Sequence, residues 1–144
     1  MGLLFSSLSN RWFPIGVFAT TLGTVSQEVL LSTETNGVTT DILPMGLAAA
    51  VATGLAIGLV CADREKATIL GFASSYLGIA LGSGLFAAIH WGSRPEAGAY
   101  GWVLFLFGGI LIGAATGWVG ALAGAGFGFL GASLRDRLSQ SVSS

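Results

Sequence analysis

Seven glycines in one uncharged run constrain this chain more than anything else in it. Between Trp102 and Leu134 there is no Asp, Glu, Lys, Arg or His, and Gly109, Gly113, Gly117, Gly120, Gly124, Gly128 and Gly131 follow at intervals of 4, 4, 3, 4, 4 and 3. That is 22 residues in six steps, about 3.67 per step, so on one continuous α-helix they form a nearly straight stripe. Loop glycines have no reason to keep phase. Glycines in phase within an apolar run mark a face onto which another backbone closes. The spacing predicts one long fourth helix over 102–134, about 50 Å at 1.5 Å per residue, crossing its nearest neighbour glycine to glycine in a right-handed sense.

Two further segments repeat the device. Gly46, Ala50, Gly54, Gly58 and Ala62 form a row at spacing four, which makes the 42–62 segment the expected internal partner of the stripe, and Gly71, Ser75, Gly78 and Gly82 form another row. Only 9% of the residues are charged and the mean hydropathy is +0.80, where a soluble domain carries about a quarter charged residues. The expected solvent is therefore lipid. The fold expected is all-α: a polytopic membrane four-helix bundle in a single integral membrane domain, with spans near 12–31, 42–62, 67–93 and 102–134 and a short polar tail over 135–144. The first span is the most polar, with Thr20, Thr21, Thr24, Ser26, Gln27 and Glu28. Phe18–Gly23 resembles Phe72–Gly78 with one insertion, and Ala52-Thr53-Gly54 recurs as Ala115-Thr116-Gly117, which would fit two duplicated helical hairpins.

Four crossings put Arg11, Arg64, Lys66, Arg135 and Arg137 on one side and Arg94 alone on the other. The positive-inside bias then makes both termini cytoplasmic in a multi-pass protein.

Chemistry is sparse. The net charge of −1 offers no clustered basic face, so no nucleic-acid partner is expected. Single residues of His (His90) and Cys (Cys61) exclude an internal disulfide, a multi-cysteine cluster and bis-histidine haem. No phosphate-cradling loop with its lysine is present, and no nucleophile, base and metal set can be assembled. No enzyme activity, cofactor or soluble small-molecule substrate is expected. No acidic residue falls at the centre of a span, which argues against a rotor-type proteolipid or a proton-coupled transporter. Glu28, His90 and Arg94, with Glu96 close by, fall near one interface and form a candidate outer polar site. The alternative is that such groups at helix ends are simply solvated or paired.

Two functions fit. The first is a structural or assembly subunit packing through its glycine faces, with the bilayer and either itself or other membrane subunits as partners, in a homo-oligomer, a larger complex or an envelope. The second is a small oligomeric pore, permease or holin-like protein surrounding a polar path.

Overall fold

The computed structural model describes residues 10–34, 46–61 and 63–143, together with Gly2. Among the described residues there are no strands, and the chain forms five α-helices: α1 (Trp12–Glu34), α2 (Leu47–Val60), α3 (Arg64–Ala87), α4 (Gly101–Thr116) and α5 (Trp118–Ser143). A π-helical turn, Ala88–Gly92, prolongs α3, and a 3-10 turn, Pro95–Ala97, precedes α4.

The five helices make four legs running alternately up and down. Gly16 lies against Ser74, Gly78 against Thr20 and Gly82 against Thr24, so α1 and α3 run parallel. Thr53 of α2 meets Thr20, and Gly23 meets Ala49, so α2 runs the other way. The last leg also descends along α3: Gly109 faces Ser83 and Gly84, Gly113 faces Ala80, Gly124 faces Gly71 and Gly128 faces Ala67. Helix α3 is the centre and packs against all four others.

Residue size explains this closeness. Among the described residues, the only large aliphatic side chains buried to under 2% exposure are Leu70 and Ile79, joined by the hydroxyl residues Thr20, Thr24, Ser74 and Ser75. Backbones meet directly where side chains are missing. A methyl group on Gly54 or Gly71 would run into the Gly124 carbonyl, and one on Gly58 into the backbone of Gly128 and Gly131. The expected pairing of the 42–62 segment with the fourth leg is thus present, glycine to glycine. The stripe is nonetheless filled from within. Gly128 closes on Ala67, and Gly131 on Leu55 and Gly58. Gly120 is buried on the same helix.

The expected single rod over 102–134 is broken. Helix α4 ends at Thr116, α5 starts at Trp118, and their axes differ by 58° at Gly117. Glycine is a poor helix former, so a run this rich in it bends at low cost. Thr116 turns its hydroxyl back to the Ile112 carbonyl, an arrangement that bends helices. The last carbonyls of α4 need partners, and the Tyr76 hydroxyl donates to that of Ala114 at 2.8 Å. Phe72, Tyr76 and Trp118 pack their rings around the corner. The glycine phase survives because both halves follow the same partner, α3.

Other boundaries differ as well. Asp63-Arg64-Glu65-Lys66 is a cap and first turn rather than a loop, since the Asp63 carboxylate accepts from the Glu65 amide. Gly46 is not a helical member of its row. It caps α2 in the left-handed region at φ 67°, where glycine is the natural residue, and it packs against Thr24 and Ile79. Residues 42–45 and 62 of that expected span lie outside the described residues. The 135–144 tail is helical as far as Ser143, because no glycine or proline follows Gly131 to stop α5.

Among the described residues one stretch, Arg64–Gly92 (29 residues, with an 18-residue window of mean hydropathy 1.6), can cross a membrane by length and composition, and α4 with α5 qualifies only as a bent pair. Helix α2 is apolar but has 14 residues, about 21 Å against a hydrocarbon core of about 30 Å. The four separate spans expected thus reduce to one helix and one bent pair. The two hairpins are not equivalent either: Gly54 lies level with Gly124, not with Gly117, and α1 packs chiefly against α2 and α3 alone.

Candidate functional site

The face of α1 turned to the bundle carries polar groups at spacing four: Thr20, Thr24 and Glu28, all buried. Thr20 donates its hydroxyl proton to the Thr53 oxygen at 3.1 Å, and Ser74 donates to the Leu70 carbonyl. Thr24 Oγ1, Gln27 Oε1 and Ser75 Oγ are buried with no hydrogen-bond partner among the described residues. The row ends at Glu28, 9% exposed, on the wall of a cavity.

That cavity is a groove of about 530 Å³ between α1, α3 with its π-turn, and α4. Among the described residues its polar lining is Glu28 and Ser83, and Phe86, Trp91, Phe105 and Gly108 belong to its apolar lining. Two adjacent glycines shape it in opposite ways. Gly109 docks α4 on α3, where a methyl group would stand 2.6 Å from the Ser83 carbonyl. Gly108, out of phase with the stripe, faces open space, with nothing within 4 Å of where its Cβ would be. One residue keeps the helices close and the next keeps the groove wide. The π-turn at Ala88–Gly92 carries Trp91; such turns often occur at functional sites.

The three polar residues singled out in the sequence divide between two places. His90 and Arg94 form one cluster at the rim. The His90 ring stacks on Phe86 at 5.1 Å and meets Trp91 edge-on at 4.9 Å. Arg94 lays its guanidinium 4.3 Å from the Trp91 centroid, brings Nη2 to 3.5 Å from His90 Nε2, and donates from Nε to the His90 carbonyl. Glu28 lies in the groove, and Trp91 is common to both. Arg94 and Glu96 line an adjoining recess of about 300 Å³ that shares Trp91 and Phe105 with the groove.

The opposite end of the bundle holds most of the cations. Arg64 pairs with Asp136 at 2.8 Å and lies over the Phe129 ring, and Arg135 donates to the Val60 carbonyl. Phe13 packs with Ile57, Cys61, Ala67, Leu70 and Ala132, which brings the Arg11 end of α1 to the same level. The sequence reading missed Ser83, Phe86, Trp91, Phe105 and Gly108. The one available signal was the Gly108-Gly109 doublet, in which one glycine breaks the stripe's phase. The chain matches no protein-family model, no curated protein and no solved structure.

Proposed function

We propose that this chain is a non-catalytic integral membrane protein, its four legs crossing the bilayer, and that it acts by binding or passing a small species at the Glu28 groove. The observation that carries the membrane reading is the inverted distribution of side chains. Hydroxyls and small residues fill the interior, while Phe18, Leu22, Leu30, Ile89, Leu104, Phe107, Leu111 and Leu122 are each more than half exposed. In water each such side chain forgoes about 1.5–3 kcal/mol of burial, and contiguous apolar patches beyond a few hundred Å² are rare on soluble monomers. In lipid there is no such penalty, and small interior residues are the expected packing solution.

The short α2 is compatible with a crossing because its glycine-capped start is buried against Thr24 and Ile79; non-helical backbone at membrane depth is tolerated where protein covers it. The bent α4–α5 pair would be one broken leg. With the cations gathered at the Arg64–Asp136 end, the positive-inside rule puts both termini in the cytoplasm.

A structural or assembly role is the second reading. It draws nothing from the glycine stripe, whose packed members face this chain's own helices. It would rest instead on the outer face of α4 and α5, where Leu104, Leu111 and Leu122 are exposed. Membrane fractionation tests the main proposal: the chain should resist alkaline carbonate and be released by detergent, and recovery in the soluble fraction would overturn it. The mass in mild detergent then separates a self-contained bundle from a stable larger assembly.

A further inference from the structure

We infer that the recess at Arg94 and Glu96, together with the groove it opens into, is a binding site for one zwitterionic phospholipid, with phosphate on Arg94, ammonium on Glu96 and one acyl chain along α4. This deepens the proposal above by naming the bound species, and it rests on the membrane reading.

Two charges assign the headgroup. Arg94 and Glu96 line one recess of about 300 Å³, yet among the described residues neither has an ion-pair partner. A guanidinium carries five N–H donors in a planar fork that suits phosphate oxygens. Arg94 gives Nε to the His90 carbonyl and brings Nη2 to 3.5 Å from His90 Nε2, and the Trp91 ring at 4.3 Å holds the fork in place. Its other Nη donors are left for a ligand. Glu96 supplies the opposite charge for an ammonium group, and Phe105 on the same wall is an aromatic ring of the kind that attracts cations. A purely anionic headgroup would meet Glu96 and a purely cationic one Arg94, so the two together select a headgroup of both signs.

Depth fits the same occupant. Trp91, Tyr100 and Trp102 are exposed at this end, and exposed Trp and Tyr collect at headgroup level in a bilayer. The groove continues from the recess through the shared Trp91 and Phe105. From Phe105 to Ile112 it follows α4 for about 10 Å at 1.5 Å per residue, toward the hydrocarbon. Its polar residues Glu28 and Ser83 already have partners within the chain, so it asks for no polar group from what fills it. The open volume of about 530 Å³ therefore suits an acyl chain, and Gly108 keeps it open, with nothing within 4 Å of where its Cβ would be.

The experiment uses the full chain, delipidated in dodecylmaltoside and titrated with dioleoylphosphatidylethanolamine or, as the anionic control with the same chains, dioleoylphosphatidylglycerol. Bound lipid is counted by native mass spectrometry. The ethanolamine lipid should saturate at one per chain and bind at least fivefold tighter than the glycerol lipid. R94Q should lower its affinity at least fivefold. E96Q, at an exposed position, should reverse the preference so that the glycerol lipid binds as tightly or tighter, a change that misfolding does not produce. G108L should weaken both lipids at least fivefold by filling the groove. Its Cβ meets nothing within 4 Å, so helicity and elution volume should match the parent and separate occlusion from misfolding. Equal binding of the two lipids by the parent, a preference unmoved by E96Q, or affinities unmoved by G108L would each overturn the site while leaving a membrane-integrated chain. The predicted preference in a chain that fractionates as soluble would overturn the membrane reading and leave the site standing.

Discussion

Gly124 and Gly126 lie two residues apart on α5 and make a matched pair for testing the packing. Alanine at either position gains the same helix preference, about 0.5–1 kcal/mol, so propensity cancels between the variants. Their surroundings do not. At Gly126 a new methyl group meets nothing within 4 Å, whereas at Gly124 it stands 2.5 Å from the Gly71 carbonyl and 2.8 Å from Ser75 Cβ. The Ser75 hydroxyl can turn away, but its Cβ and the Gly71 carbonyl are held in α3. Helix α5 must therefore back away from α3, and the contact of Gly54 with the Gly124 carbonyl loosens with it. Overpacking of this kind costs about 1–3 kcal/mol, so G124A should be less stable than G126A by that amount. G126A itself should be neutral or slightly stabilised. Reversible unfolding in mixed micelles, followed by helical circular dichroism, gives both values. Equal shifts in the two variants would refute the close three-helix contact at Gly124.

Y76F removes the hydroxyl that the Ala114 carbonyl accepts at the bend, and should cost about 0.5–1.5 kcal/mol in the same unfolding assay. D63A removes the cap of α3 and should cost about 0.5–2 kcal/mol. D136A breaks the pair with Arg64, whose side chains are 49% and 37% exposed, and should cost about 0–1 kcal/mol, less still in high salt.

The helical class, the glycine rows and the pairing of the second segment with the fourth leg were legible in the sequence, because spacing fixes which residues share a face. The break at Gly117 was not. A helical period carries azimuth and not axis direction, and a bend that keeps the same neighbour on both sides leaves the phase intact. Thr116 was the local sign of it, but the Ala114 carbonyl at the bend accepts from Tyr76, 38 residues away. The start of α3 was readable and misread, since Asp63 two residues before Glu65 is an ordinary helix cap. For the groove, Glu28 and Arg94 were chosen for their charge, but the cavity is made by an absence at Gly108 and by a π-turn that re-aims Trp91. Neither has a periodic signature.

The central claim is that the hydrocarbon-rich exterior faces lipid and the hydroxyl-rich interior faces neither lipid nor bulk water. Spin labels on single cysteines in a C61A background test it directly in proteoliposomes, at Phe18, Leu111 and Leu122 outside and at Ser75 inside. The account predicts high collision rates with oxygen and low rates with a water-soluble nickel chelate at the three outer positions, and low rates with both at Ser75. Nickel access at Phe18, Leu111 and Leu122 equal to that of an exposed site on α5 such as Ser139 would contradict it.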